Sequence, residues 1–200
     1  MKRLARIGGA LYLVIIAVGL WGEMFVRDRL PTIADIHAHE TLWRVHIAAE
    51  IVLLLCATAL LMIFYVLFEP VNRNLTLMAT FFNLVSISIE AVGALYLLAF
   101  DETMHSRTFG ISLIFFGCFC IIIGYLIFIS GLIAKPIGVL MQIAGVCYMI
   151  NSFALIVSPP LAHVLFPAIL LPSFIAELSL ALYMAIVGVR SSLLPGEKVP

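Results

Sequence analysis

Charged side chains are scarce in this chain: they make up 11% of its 200 residues, whereas hydrophobic residues make up 64%. This balance lies outside the range of soluble globular domains and within that of membrane proteins. The length leaves little beyond the apolar runs themselves, so there is no room for a soluble domain or a nucleic-acid-binding module. The net charge of zero says nothing about a partner, because the distribution of charge between loops matters more in such proteins.

Reactive cysteines and internal basic residues are also lacking. The four cysteines, Cys56, Cys118, Cys120 and Cys147, lie in apolar runs without the flanking charge that would produce a reactive thiolate. They are interpreted as packing residues. A cleavable signal peptide is not predicted, because the first apolar run is long enough to span and has no convincing small-residue cleavage site. No Lys or Arg lies inside any of the predicted spans.

Six apolar runs are long enough to cross a hydrocarbon core of about 30 Å. The fold prediction is therefore an all-α integral membrane bundle of six transmembrane helices forming one domain, residues 1–200. Seven Lys and Arg residues fall on the side of the termini and four on the opposite side, which places both termini in the cytoplasm. The predicted spans are residues 7–25, 45–67, 75–100, 111–133, 137–157 and 165–189.

The third predicted span carries a polar stripe. Asn83, Ser86, Glu90 and Gly93 are spaced three, four and three residues apart, which puts them on one face of a helix. A carboxyl group near the bilayer centre costs about 2.5–3.5 kcal/mol on insertion scales, so Glu90 must face protein, water or a ligand. The other spans are therefore expected to surround this face.

The sixth predicted span repeats part of this pattern. Residues 171–183 match residues 84–96 at an offset of 87, pairing Ser173 with Ser86 and Glu177 with Glu90. Because the two spans cross in opposite directions, the match raises the hypothesis of an inverted three-plus-three repeat, with both carboxyls near the midplane. Desolvation favours the neutral acid, so both carboxyls are expected to be protonated at neutral pH when no cation is present. The fifth span adds Gln142 and Asn151 as candidate ligand groups.

A second candidate site lies at the start of the second span. If a helix starting near Thr32 continues unbroken into that span, Asp35, His39, Trp43, His46 and Glu50 share one face. His46 and Glu50 then stand on successive turns, as two ligands of one Zn or Fe ion would. Two residues do not make a site, so a metal centre would need a third ligand. Haem is disfavoured because His46 is the only histidine inside a predicted span.

Several strings resemble a bacterial membrane-protein family catalogued as domain of unknown function four-three-eight-six. The more specific strings are Pro70-Val71-Asn72-Arg73-Asn74 and Tyr148 followed by Asn151-Ser152-Phe153; others occur at Ala5-Arg6-Ile7-Gly8, Leu42-Trp43-Arg44 and Gly124-Tyr125-Leu126-Ile127. The resemblance covers almost the whole chain. It implies a membrane bundle of about six or seven spans in a bacterial cytoplasmic membrane, and it supplies no catalytic residues.

These patterns predict a protein that binds, and could translocate, a cation, a proton or a small polar molecule in a glutamate-lined interior. The candidate ligand residues are Glu90, Glu177, Ser86, Asn83, Ser173, Gln142 and Asn151. Two alternatives stay open at this point. One is a metal-dependent intramembrane enzyme using His46 and Glu50, and the other is an accessory subunit whose carboxyls are merely hydrogen-bonded. Apart from the lipid bilayer, no partner and no oligomeric state can be assigned.

Overall fold

Six long helices form the body of the protein in a computed structural model that describes residues 1–190. All six are long and apolar enough to cross a membrane, so the prediction of an all-α, multi-pass membrane bundle is confirmed. The polar tail predicted after Arg190, which includes Lys198, lies outside the described residues. The helices are α1 (Lys2–Trp21), α2 (Ile33–Ala38), α3 (Glu40–Phe68), α4 (Arg73–Leu98), α5 (Glu102–Ser130), α6 (Lys135–Val157), α7 (Pro159–Leu165) and α8 (Leu171–Ile186).

Short irregular turns complete two of the spans. A π-helical turn, Gly22–Val26, and a 3-10 turn, Arg27–Arg29, prolong α1, and the 3-10 turn Ala168–Leu170 leads into α8. We call the end of the bundle that carries Lys2, Arg73 and Lys135 the base, and the end that carries Arg27 and Asp101 the top. Because the connections between the spans are short, neighbouring spans run in opposite directions between these two ends.

The six spans close into a ring in chain order. α3 packs between α1 and α4, α5 packs between α4 and α6, and α8 packs between α6 and α1. Each span therefore has two neighbours and one span opposite: α1 faces α5, α3 faces α6, and α4 faces α8. The polar stripe of α4 and the matching residues of α8 thus lie on opposite sides of the ring.

Glycines bring α5 and α6 into close contact. A Cβ atom added to Gly124 would lie 2.5 Å from the carbonyl oxygen of Gly138, and one added to Gly138 would lie 2.6 Å from that of Gly124. Gly117 faces Gly145 in the same way. Small residues at such positions let helix backbones approach closely in membranes. The seven-residue spacing of Gly117 and Gly124 puts both glycines on the same face of α5.

Several boundaries differ from the sequence prediction. The helix from Thr32 does not continue into the second span, because it ends at Ala38 and His39 leaves the helical conformation, with φ −124° and ψ 37°. Asp101 caps α5, accepting a hydrogen bond from the Met104 backbone N–H, so the helix includes residues predicted to form a loop. Gly131 ends α5 at a φ of 65° and takes no part in the glycine contact. The last span begins after residue 167 rather than at Leu165.

The ring does not have the symmetry of an inverted three-plus-three repeat. Both halves of the chain progress around the ring in the same sense, but α1 starts at the base and α5 starts at the top. Seen from the end where each half begins, one set of three spans is therefore arranged clockwise and the other anticlockwise. A two-fold rotation cannot superimpose two arrangements of opposite hand. The hydrogen bonds of the two matching serines also lack this symmetry. Ser86 donates to Ser112 O on the following span, whereas Ser173 donates to Ala144 O on the preceding span.

The orientation in the membrane stays a prediction, with the base in the cytoplasm. A cysteine replacing Met104 near the top should react with a membrane-impermeant maleimide from outside intact cells, because the basic residues favour the base as the cytoplasmic side. A cysteine replacing Glu69 near the base should react only after the cells are permeabilised. Reaction of the two positions in the opposite order would overturn the orientation.

Candidate ligand cavity

A cavity of about 320 Å³ lies inside the ring, and each of the six spans contributes to its wall. Most of the wall is apolar. Seven aromatic rings take part: Tyr12, Phe64, Phe109, Phe116, Phe119, Tyr148 and Phe174. Apart from the two tyrosine hydroxyls, the polar side chains on the wall are Asn83, Glu90 and Glu177. The cavity is therefore a mainly apolar space with seven aromatic rings in its wall, and two carboxyl groups line it.

Aromatic contacts close the cavity toward the base. Tyr12 packs edge-on against Phe64 with ring centroids 6.3 Å apart, and Phe64 packs against Phe119 at 5.7 Å. Phe116 continues the chain of contacts to Phe119 at 5.6 Å and to Tyr148 at 5.5 Å. Below them, buried side chains from all six spans form one continuous core. The base half of the ring is consequently packed shut.

The half of the cavity nearer the top is more open. Leu20, Phe109 and Phe174 line it and are 41%, 43% and 39% exposed. Near the base, Gly9 packs directly against the backbone of Ala185. Leu20 and Phe174 each lie eleven residues from that contact toward the top, so they stand at the same depth on α1 and α8. Together with Phe109 they mark the more open end of the cavity, which lies toward the top.

Glu90 is held by the neighbouring helix α5. The Ser112 hydroxyl lies 2.9 Å from Glu90 Oε1 and 2.8 Å from the Phe109 carbonyl oxygen, and its single hydrogen is shared between these two acceptors. Ser86, one turn earlier on α4, donates to Ser112 O at 3.0 Å. Ser86 is 1% exposed and does not line the cavity. Its predicted ligand role is therefore replaced by a helix-packing role, whereas Glu90 reaches the cavity.

Glu177 is held from the opposite side of the ring. The Tyr148 hydroxyl on α6 donates a short hydrogen bond to Glu177 Oε1. Ser173, one turn earlier on α8, is fully buried and donates to Ala144 O at 3.2 Å, so it too contributes to helix packing. The Tyr12 hydroxyl is buried in the cavity wall without a hydrogen-bond partner in the described residues.

The remaining predicted ligand residues separate into two groups. Asn83 is 7% exposed and lines the cavity with Glu90. Gln142 packs against Gly124 at the contact between α5 and α6, and its amide nitrogen lies 3.4 Å from Gly138 O. Asn151 keeps a buried side-chain oxygen without a partner in the described residues, but it does not line the cavity. Geometry therefore assembles Asn83, Glu90 and Glu177 and leaves the other four outside.

Arg27 connects opposite spans at the top of the ring. Its guanidinium group bonds to Glu23 at 2.6 Å, one turn earlier at the end of α1, as the sequence predicted. The same group reaches Glu102 at 3.2 Å and Ser106 at 2.8 Å, both on α5. Because α1 and α5 are not neighbours in the ring, this side chain links two spans across its top.

Two buried histidines lie in this upper region. His46 is 1% exposed and His105 is 7% exposed, and each has a ring nitrogen without a partner in the described residues. His46 packs against Gly22, and the Glu50 carboxyl lies by the same glycine. Within residues 1–190, no three or more His, Cys, Asp or Glu side chains are grouped so that they could hold a metal ion. The third ligand that the metal hypothesis requires is thus not placed beside His46 and Glu50.

Trp43 lies inside the upper part of the bundle. It is fully buried, and its indole N–H donates to Leu97 O at 3.0 Å. It belongs to a small second core near the top, formed by α2, α3, the end of α4 and the turns after α1. This core fixes the start of α3, which positions Glu50.

Sequence reasoning missed the aromatic part of the cavity. Phe109, Phe116 and Phe119 occur in an apolar helix whose residues give no periodic signal, so nothing distinguishes a cavity-facing ring from a lipid-facing one. Ser112 was missed for a related reason, since its hydroxyl becomes significant only when α5 packs beside Glu90. The Asp101-Glu102 pair did carry a usable signal for the start of α5, a cap followed by an acidic first turn.

Comparison with known proteins gives a family but no activity. The family model described as Domain of unknown function (DUF4386) matches residues 7–102 and 100–188. An "Uncharacterized protein" of Archaeoglobus fulgidus is 32% identical over 87 residues, which cover 44% of this chain and 52% of that protein. The chain spans about half the length of this curated relative. No solved structure matches the chain.

Proposed function

Because the chain belongs to the family described as Domain of unknown function (DUF4386), whose name assigns no activity, we propose its function from the cavity itself: it binds a cation between Glu90 and Glu177. The observation that carries this proposal is the placement of two carboxyl groups on opposite helices around one cavity. Within residues 1–190, no Lys, Arg or His side chain lines that cavity to neutralise them. A bound cation would supply the missing positive charge.

The electrostatics of the cavity support binding coupled to a proton. An ionised carboxylate in apolar surroundings is strongly disfavoured unless a counter-charge is present. Glu90 and Glu177 line the same cavity, so ionisation of both carboxyl groups together is further opposed. We therefore propose that the empty cavity holds neutral carboxyls and that cation binding displaces a proton. Affinity for a cation should consequently rise as the pH rises.

The closed base limits what the present conformation can do. A ligand can enter from the more open upper half, but passage to the base requires the aromatic contacts between Tyr12 and Phe119 to separate. We propose that binding takes place from the top, and that the top is the outer side of a bacterial cytoplasmic membrane, as the charge distribution predicts. Translocation is a separate step, to be tested by flux into proteoliposomes.

The test of this proposal is cation binding to the purified protein by isothermal titration calorimetry in lipid nanodiscs. The cations are sodium, potassium, methylammonium and benzylammonium. Wild-type protein should bind at least one of them, and replacing both Glu90 and Glu177 by glutamine should weaken that binding at least tenfold, because glutamine keeps the size and loses the charge. Glu69→Gln is the matched control, since Glu69 lies near the base outside the cavity.

Two results would contradict the proposal. One is that no cation binds to the wild-type protein at any pH between 5 and 9. The other is that binding is unchanged in the double glutamine variant, which would make the carboxyls packing residues, as expected of an accessory subunit. The metal-dependent alternative has a separate test, in which Zn or Fe co-purifies with the wild-type protein and is lost with His46→Ala.

A further inference from the structure

We infer that the cavity selects organic ammonium ions that carry an apolar body over bare inorganic cations. This inference rests on the proposed function, because it names the class of cation that would bind between Glu90 and Glu177. Three features of the cavity carry it: the small number of oxygen ligands, the aromatic wall, and the size and position of the space.

The oxygen ligands on the cavity wall are too few to enclose an inorganic ion. Hard cations are coordinated by about six or more oxygen atoms arranged around them. Here the carboxyl groups come from opposite helices, and each already accepts one hydroxyl hydrogen bond, from Ser112 and from Tyr148. Asn83 is the remaining side-chain carbonyl on the wall. A dehydrated sodium or calcium ion beside either carboxyl would therefore keep most of its coordination positions unfilled.

The aromatic rings provide the contacts that an organic cation needs. A cation held over a ring face within about 6 Å is attracted by the quadrupole of the ring, and quaternary and substituted ammonium groups are commonly bound in this way. Phe116 is central here, because it contacts both Phe119 and Tyr148, the residue that bonds to Glu177. A ligand with its nitrogen near Glu177 would therefore have aromatic neighbours for both its charge and its apolar part.

Size and access agree with such a ligand. A water molecule occupies about 30 Å³ in the liquid, so a cavity of about 320 Å³ offers roughly ten times that space. An inorganic ion would leave most of this apolar volume unfilled, whereas a substituted benzene ring would fill a larger part of it. Leu20 and Phe174 at the opening are apolar and partly exposed, which favours entry of an amphiphilic amine from the membrane interface.

Nearby positive charge does not compete with the ligand. Four arginines, Arg27, Arg29, Arg44 and Arg107, lie toward the top of the ring, and none of them lines the cavity. The guanidinium group of Arg27 is already bonded to Glu23, Glu102 and Ser106. Neither Glu90 nor Glu177 is paired with Lys or Arg in the described chain. The two carboxyls are therefore free to pair with a cation that comes from outside the protein.

The experiment separates charge from apolar body with three soluble probes. Benzylammonium carries both, methylammonium carries the charge alone, and benzyl alcohol carries the ring alone. Titration calorimetry in nanodiscs at pH 8 should show benzylammonium binding at least tenfold more tightly than either other probe. The variant with Glu90 and Glu177 both changed to glutamine should bind benzylammonium no more tightly than benzyl alcohol.

A second pair of variants tests the aromatic wall. Phe116→Leu should weaken benzylammonium binding at least fivefold and change methylammonium binding less. Phe81→Leu is the control, because Phe81 is 59% exposed and lies outside this cavity. If Phe116→Leu does not fold, the three-probe comparison on the wild-type protein still decides the question.

The outcomes distinguish this inference from the proposed function. Sodium, potassium or methylammonium binding as tightly as benzylammonium, with loss in the double glutamine variant, would overturn the inference and leave cation binding intact. Benzyl alcohol binding as tightly as benzylammonium would overturn the inference, because the charge would then contribute nothing. Absence of any carboxyl-dependent cation binding would overturn the proposed function and the inference together.

Discussion

Gly124→Ala is expected to lower the free energy of unfolding by about 1–3 kcal/mol, the usual cost of overpacking a well-packed contact. The added methyl group would lie 2.5 Å from Gly138 O and 2.9 Å from Gln142 N, both backbone atoms of α6. Backbone atoms cannot turn aside as a flexible side chain can. The two helices must therefore separate locally, and the nearby contact between Gly117 and Gly145 would be strained as well.

Gly19→Ala is the matched control. A methyl group there would meet only Leu53 Cδ1 at 3.8 Å, an ordinary van der Waals distance. Alanine also favours a helix interior over glycine by about 0.8–1 kcal/mol, so this variant should be as stable as the wild type or more stable. Equilibrium unfolding in mixed detergent micelles, followed by circular dichroism, measures both. Equal stability of the two variants would show that α5 and α6 are not in close contact.

The glycine pattern also shows what the sequence can and cannot reveal. Gly117, Gly124 and Gly131 share a seven-residue spacing, but Gly131 lies at the end of α5, where a left-handed residue stops the helix. Spacing alone cannot distinguish a packing glycine from a terminating one when the helix end is unknown. In α6, the sequence did not signal that Gly138 and Gly145 would be the partners, since helix pairing depends on the closed ring.

The carboxyl groups were predictable for a different reason. An ionisable residue inside an apolar helix must face the interior, so the sequence alone is enough to place Glu90 there. On a helical projection, Ser86 and Ser173 share a face with the glutamates one turn later. Their hydroxyl groups nevertheless donate hydrogen bonds to backbone carbonyl groups of neighbouring helices. A short hydroxyl side chain reaches only the adjacent backbone, whereas a glutamate extends far enough to enter the cavity.

The aromatic lining of the cavity and the bonds from Arg27 to α5 could not be predicted from the sequence. Both depend on which helices face each other across the ring, and an apolar membrane helix gives little indication of this. For Arg27, the spacing predicted the partner one turn away, Glu23, but not Glu102 or Ser106 more than seventy residues later in the chain. The side chain nonetheless carries the clearest long-range polar contact of the described structure, and its removal has a large predicted effect.

Arg27→Met is expected to lower the free energy of unfolding by about 2 kcal/mol and to loosen the top of the ring. The variant keeps an apolar stem but loses hydrogen bonds to Glu23, Glu102 and Ser106. Breaking a fully buried ion pair costs about 3–5 kcal/mol. The effect here should be smaller, because the side chains of Glu23 and Glu102 are 50% and 33% exposed, although that of Arg27 is only 14% exposed.

Arg27→Lys and Arg44→Met complete the series. Lysine keeps the charge but lacks the planar guanidinium group, which can bond to three acceptors at once. The stability of Arg27→Lys should therefore fall between those of the wild type and Arg27→Met. Arg44 pairs with Glu40 on the exposed surface, with 62% and 46% of the two side chains accessible, and its loss should cost no more than about 0.5 kcal/mol.

A distance measurement between the first and fourth spans tests whether Arg27 holds them together or is only a surface charge. Spin labels on cysteines replacing Phe25 and Thr103 report the separation of the first and fourth spans at the top, in a background without the native cysteines. Because Arg27 is the polar link between these opposite spans, the distance distribution should broaden or lengthen in Arg27→Met and stay unchanged in Arg44→Met. An unchanged distribution together with unchanged stability in Arg27→Met would mean that apolar packing alone holds the top of the ring.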